Sequence, residues 1–230
     1  MRVLIKMFVM LTVCILLVGC GKKAGIEGKI VDGKDKPMSG VKLIAKQVQP
    51  IKGYEHFETT SSSDGTFKFT GVFPSSEYVI EPWSDTWKTV AKVKVQSGPE
   101  GQTSMAEKPF ILRFTQSKEG VVTDSKTALQ WAPSNGQAMN HFQAEGYVKS
   151  LNLDGGGWRL PSIAELKQLH PGNPLLNATS ENRIWSGELC NSYGSPGARD
   201  FDFDDGYDRC YTRDYANYRG PRVLAVRSPK

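Results

Sequence analysis

Gly155-Gly156-Gly157-Trp158-Arg159-Leu160-Pro161-Ser162-Ile163-Ala164-Glu165-Leu166-Lys167-Gln168-Leu169 is the stretch that decides the fold of this chain. The glycines read as a tight turn and Trp158 as a buried aromatic. Pro161 is excluded from a helix interior but suits a helix start, where its missing N–H costs nothing. Ser162 can cap the orphan amides, and Glu165 three residues on completes a capping box. Ile163, Leu166 and Leu169 then share one helix face, so one stripe is apolar. The stretch reads as a helix start locked to a core.

Trp158-Arg159-Leu160-Pro161-Ser162 with Glu165-Leu166 resembles the signature of the Lcl C-terminal domain family. That family is named for the globular tip of a bacterial collagen-like surface adhesin, and its fold is C-type-lectin-like. Further pieces resemble the family in its own order. Val121-Val122-Thr123-Asp124 with Leu129-Gln130-Trp131 looks like its opening hairpin, and Ala144-Glu145-Gly146-Tyr147 like its first helix. Ile184-Trp185-Ser186 looks like an inner strand, and Val226-Arg227 like the closing one. The resemblance spans residues 114 to 228 and implies a C-type-lectin-like domain over 114–230. It marks Trp131, Trp158, Arg159, Leu160, Pro161, Glu165 and Trp185 as positions of the fold.

A chain of 230 residues fits two domains. Arg2 and Lys6 precede an apolar run, Met7 to Val18, that is too short to span a bilayer, so residues 1–19 read as an export signal. Leu17-Val18-Gly19-Cys20 resembles a bacterial lipobox, which implies lipidation of Cys20 and a membrane-anchored envelope protein. Gly21 after that cysteine points to the outer membrane. Residues 20–24 are then the anchor and a short linker, with Lys22 and Lys23 at the lipid surface. Without the leader, 27 basic residues face 24 acidic ones, dispersed along the chain. That is no nucleic-acid footprint.

Residues 25–113 read as all-β. Short alternating runs such as Thr66-Phe67-Lys68-Phe69 are separated by turn signals such as Asp64-Gly65. Strands are expected at 26–31, 41–45, 66–69, 78–80, 90–95 and 110–114. The pattern Gly28…Pro37…Gly40-Val41…Asp64-Gly65-Thr66-Phe67…Tyr78 resembles carboxypeptidase-regulatory-like domains, which implies a prealbumin-like sandwich acting as spacer or assembly module. Tyr54, Trp83 and Trp87 are either packed aromatics or a sugar-stacking surface. Residues 114–118 read as a short polar join to the second domain, an α+β unit with a first helix over 138–151 carrying Met139, Phe142, Tyr147 and Leu151 on one side. After Trp185 the chain reads as β-rich with long irregular connections.

Cys190 and Cys210 remain once Cys14 and Cys20 are assigned to export. In an oxidising compartment they read as a disulfide, worth roughly 3 kcal/mol for a loop of this length; two free thiols or half of a zinc site are the alternatives. Members of the resembled family carry cysteines where this chain has Val148 and Ala225, so that second bridge is missing. Between Tyr193 and Tyr218 lie five of the eight tyrosines, interleaved with arginines. Tyr193, Arg199, Tyr207, Arg209, Tyr211, Arg213, Tyr215, Tyr218 and Arg219 are therefore the candidate ligand-binding residues, since tyrosine and arginine are favoured at recognition surfaces. The competing reading pairs the arginines with the aspartates, merely holding the loop.

Asp200, Asp202 and Asp204 alternate with Phe201 and Phe203, which predicts one exposed acidic strand face over a buried aromatic one. Asp204, Asp205 and Asp208 are weak calcium candidates; the sugar-site ligand sets of C-type lectins and the EF-hand spacing are absent, so no cofactor is required. Trp158 to Glu165 also resembles formylglycine-generating enzymes, but Cys190 and Cys210 do not match their cysteine pair. No nucleophile elbow, Walker loop or zinc motif is present, and His141 and His170 read as isolated surface or helix-end residues. No catalysis is expected. The expected function is binding or adhesion: the C-terminal domain recognises a polysaccharide, polyanionic or otherwise, or a surface protein. The alternative is a structural subunit of an envelope assembly.

Overall fold

A computed structural model describes residues 23–178, 183–215 and 220–229. The export segment, Cys20, Lys22, Asn217, Tyr218 and Arg219 lie outside the described residues. The described residues are mostly β-sheet, with several sheets and two short α-helices among them. No described helix is long and apolar enough to cross a membrane.

The first half supplies nine strands: β1 (Ala24–Val31), β2 (Lys42–Gln47), β3 (His56–Thr60), β4 (Thr66–Val72), β5 (Glu77–Trp83), β6 (Trp87–Lys88), β7 (Val93–Gln96), β8 (Thr103–Met105) and β9 (Phe110–Ile111). β1 pairs antiparallel with β4 and parallel with β8 and β9, while β3-β2-β5-β7 form a second, antiparallel sheet. Ile26, Leu43, Phe67, Phe69, Tyr78, Ile80 and Leu112 are buried in one cluster contributed by both sheets, which gives this half a sandwich arrangement. Period-two alternation places Phe67 and Phe69 inside and Thr66, Lys68 and Thr70 outside. The Phe67 ring lies across Gly28, where a Cβ would come within 2.5 Å of it. On the outer face of the second sheet, Lys42–Glu58 (2.7 Å), Lys46–Glu81 and Lys94–Glu77 (2.9 Å) pair across strands.

The second half contains β10 (Phe114–Ser117), β11 (Val122–Asp124), β12 (Gln130–Ala132), α1 (His141–Ser150), α2 (Ile163–Leu169), β13 (Arg183–Ser192), β14 (Ser195–Asp202), β15 (Asp208–Thr212) and β16 (Ala225–Arg227). Residues 114–117 are thus a strand and not a polar join. β10 pairs with β11, and β6 of the first half pairs with the other edge of β10, so one five-stranded sheet, β16-β12-β11-β10-β6, takes strands from both halves. Arg113 reinforces the connection: Nε and Nη2 each donate to the buried Asp124 carboxylate at 2.8 Å.

The expected capping box forms at α2. Ser162 Oγ accepts from Glu165 N (3.1 Å), and Glu165 Oε2 accepts from Ser162 N (2.8 Å). Ile163, Leu166 and Leu169 are all buried. A further cap comes from β13, where Glu188 accepts from Ile163 N at 2.8 Å. α1 is shorter than the expected 138–151, and of the residues expected on its inner side Met139, Tyr147 and Leu151 do pack, half-buried, against the core. His141, Ala144 and Val148 are buried, whereas Phe142 is exposed.

After Trp185 the chain is β-rich as expected: two of its connections are short turns within an antiparallel ribbon, β13-β14-β15, and a long one, 213–224, of which 216–219 lie outside the described residues, leads to β16. The base of the ribbon is buried on both faces. Ile184 and Phe201 join one core cluster with α2, and Trp185 and Ala198 join another with Ala144 and Val148 of α1.

Candidate functional site

The Cys190–Cys210 disulfide forms, with Cα atoms 6.2 Å apart. It links β13 to β15 across the middle strand. Gly197 on β14 faces both outer strands, opposite Cys190 and Thr212. A Cβ there would meet Tyr211 O at 2.6 Å and Cys210 Sγ at 3.1 Å, so only glycine leaves room for the staple. The ribbon is thereby a rigid platform with two turns, at 193–194 and 203–207.

At the first turn Ser192 faces Ser195, leaving the two-residue loop Tyr193-Gly194. Both have positive φ, 49° and 84°, as a type I′ hairpin requires. Asparagine or glycine is the favoured residue at the first position, because a Cβ there is strained. A tyrosine occupies it, fully exposed. At the second turn, Tyr207 is also exposed.

The other described tyrosines of the segment are packed. Tyr211 and Tyr215 stack with centroids 4.7 Å apart, and Arg183 lies over Tyr211 at 4.3 Å. The candidate arginines are engaged as well. Arg199 pairs with Asp208 (2.6 Å), and Arg209 with Asp202 (3.1 Å) and Asp205. Arg213 pairs with Glu145 at 2.7 Å and covers the Phe142 ring at 4.1 Å. The reading in which arginines hold the segment together describes all three.

Asp200 is not on an exposed acidic face. It is 0% exposed, because it shares its face with Trp185, the face that α1 covers. It forms an ion pair with Arg183, yet its oxygens accept no aligned hydrogen bond among the described residues. Burial pushes its carboxyl up to about 6, against the pull of Arg183. Phe201 and Phe203 are in the core as expected. Of the calcium candidates, Asp204 is exposed, Asp205 is held by Arg209, and Asp208 is shared by Lys167 (3.0 Å) and Arg199. Among the described residues no three His, Cys, Asp or Glu side chains gather as metal ligands.

His141 corrects the sequence reading of a surface histidine. It starts α1 but is 0% exposed, with its ring edge-on to Trp185 at 5.3 Å. His170 does end α2, exposed. Sequence reasoning also missed Arg227, a buried hub at the closing strand. Its Nε donates to Gln130 Oε1 (2.8 Å), and its Nη1 to the carbonyls of Asp154 (2.8 Å) and Gly156 (2.7 Å). The guanidinium also covers the Trp158 ring at 4.4 Å. Trp158 Nε1 donates to Leu153 O at 2.8 Å, and Arg159 grips Glu165 through both nitrogens (2.8 and 2.6 Å). These contacts anchor the glycine turn and the helix start without creating a reactive group.

Residues 120–227 match the Lcl C-terminal domain family. No protein of curated function matches the chain in sequence. Among solved structures, a candidate carbohydrate-binding protein from Pseudomonas aeruginosa is similar over 40% of this chain and 89% of its own, at 11% identity and a TM-score of 0.27. The major pilin SpaD from Corynebacterium diphtheriae is similar over 51% of this chain and 39% of its own, at 14% identity and a TM-score of 0.30. Superpositions this loose assign neither fold nor ligand.

Proposed function

We propose that this is a lipid-anchored protein of the bacterial envelope whose C-terminal, C-type-lectin-like domain binds a polysaccharide or a surface protein. The prealbumin-like sandwich of 25–113 serves as its spacer, and the cysteine after the export signal as its anchor. One observation carries the binding reading: a fully exposed tyrosine occupies the strained first position of the β13–β14 turn. Backbone strain opposes stability there, and among the described residues no side-chain contact of Tyr193 offsets it, which is the pattern of a residue kept for recognition. The disulfide supports the reading by fixing the platform beneath it.

The test is an array of neutral, uronic-acid and sulfated glycans probed with the full chain and with Tyr193→Asn. Asparagine is the better turn residue, so the variant is expected to fold at least as stably as the parent. Glycan retention lost in a variant of undiminished stability supports the reading. A blank array from folded, disulfide-intact protein overturns glycan recognition and favours an assembly subunit.

A further inference from the structure

The loop from Trp83 to Trp87 ties the two halves together. Trp83 ends β5 in the sandwich, and Trp87 opens β6, where it faces Ser117 of β10 while Lys88 faces Gln116. Thr89 Oγ1 donates to Phe114 O at 2.8 Å and pins the far side of the loop. Within it, Ser84 Oγ and Thr86 Oγ1 lie 2.9 Å apart, and Ser84 Oγ accepts from Thr86 N at 3.1 Å. The backbone that carries the two indoles is therefore held by strand pairing at both ends and by a locked turn between them. Such preorganisation removes much of the ordering cost of binding.

Two cavities flank this loop. One, of about 370 Å³, runs between the loop and β10, and the other, of about 470 Å³, runs along Trp83 to Lys92. They share Ser84, Trp87 and Lys88 as walls, and their volumes are those of small-ligand pockets. Trp83 is 47% exposed, with the Lys42 ammonium 4.7 Å from its ring centroid. Lys88, Lys92 and Lys118 line the cavities and are exposed, with no carboxylate partner among the described residues. Of the two acids on the walls, Glu81 is paired with Lys46, and Asp85 has no basic partner among the described residues. The charge excess is thus positive and unspent, unlike that of the candidate arginines on the ribbon.

We propose that this seam is a second binding site, separate from the ribbon, and that it takes an acidic saccharide. The indole of Trp83 stacks on the C–H face of a sugar ring, and Lys88, Lys92 and Lys118 receive its carboxylate or sulfate. Ser84, Asp85 and Gln116 face the hydroxyls.

Tryptophan fluorescence reads this site directly. Of the five tryptophans, Trp131, Trp158 and Trp185 are buried and Trp87 is half-buried, which leaves Trp83 as the exposed one. The full chain, purified in detergent, is titrated with an oligogalacturonate, with dextran sulfate and with unmodified dextran, while acrylamide quenching and binding heat are followed. The acidic probes are expected to protect the quenchable tryptophan and neutral dextran is not. Trp83→Phe should lose the quenchable signal, and Trp83→Ala should weaken binding by about tenfold or more. Lys88→Gln with Lys118→Gln, both on exposed residues that keep the fold, should weaken binding and flatten its salt dependence. Tyr193→Asn should leave this binding unchanged, which separates the seam from the ribbon. Absence of protection by either acidic probe, equal binding of neutral dextran, or acidic binding lost in Tyr193→Asn but kept in Trp83→Ala overturns the proposal.

Discussion

Arg213 Nε donates to His141 Nδ1 at 3.2 Å, across 72 residues of sequence, while His141 Nε2 donates to the carbonyl of Ser186 at 3.0 Å. The two bonds fix one neutral tautomer of a fully buried imidazole, because Nδ1 must accept. Burial holds the His141 pKa below its ordinary 6.5. The unfolded chain then binds the extra proton first as pH falls, so this contribution is complete above about pH 6.5 and declines below it. Denaturant midpoints measured at pH 7.5 and 5.5 should show the loss, and His141→Gln should remove that part of the pH dependence. An identical pH profile in the variant would refute the assignment.

Asp200 acts with the opposite sign. Its folded value of about 6 lies above its ordinary 3.8, so the folded state takes up its proton first and gains stability as pH falls from 6 toward 4. Asp200→Asn should abolish this gain. It should also cost several kcal/mol at neutral pH, about 3–5, because Arg183 would lose its partner in a buried setting. A midpoint unchanged at pH 7.5 would show that the Arg183–Asp200 pair contributes nothing net.

How far these features were legible is uneven. The Ser162–Glu165 box and the Ile163, Leu166, Leu169 stripe are local, and spacing alone placed them. Phe201 and Phe203 were found by their period-two alternation. The same alternation misplaced Asp200, because it separates two faces without saying that α1 covers the second. His141 was misread for a related reason: a lone histidine carries no pattern, and its partners lie at 186 and 213. Arg227 looks like any strand arginine until the Asp154–Gly156 turn folds against it. The strand at 114–117 was missed because its own residues are mostly polar and the strands it pairs with, β6 and β11, are only two and three residues long. The candidate tyrosines split along the same line. Tyr193 is marked by the glycine after it, whereas the packing of Tyr211 on Tyr215 is set by a stack no spacing announces.

Arg227 gives a test of charge against geometry. Lysine would keep the positive charge but cannot reproduce a fork that serves Gln130, Asp154 and Gly156 together. Arg227→Lys is expected to lower stability by about 2 kcal/mol or more. It should also raise hydrogen exchange at residues 154–157 ahead of global unfolding. Unchanged exchange there would mean that the turn holds without the fork.

The staple and the glycine beneath it make a paired prediction. Reducing Cys190–Cys210 should cost about 3 kcal/mol by loop entropy, or somewhat less because the ribbon retains its ladder hydrogen bonds. Gly197→Ala attacks the same place from the other side, since its Cβ would press on the Tyr211 carbonyl at 2.6 Å and on the bridge sulfur at 3.1 Å. The backbone at the collision cannot swing aside as a side chain would, so the outer strands must part or the bridge must shift. The variant should lose roughly 1–3 kcal/mol while oxidised, as overpacked sites do. In the reduced protein the sulfur is free to move away, and the penalty of the alanine should shrink. A double cycle of oxidised and reduced parent and variant, followed by denaturant midpoint, measures that coupling. Additive penalties would show that Gly197 is required by the Tyr211 backbone alone, and a coupled loss would show that glycine is there to let the disulfide cross.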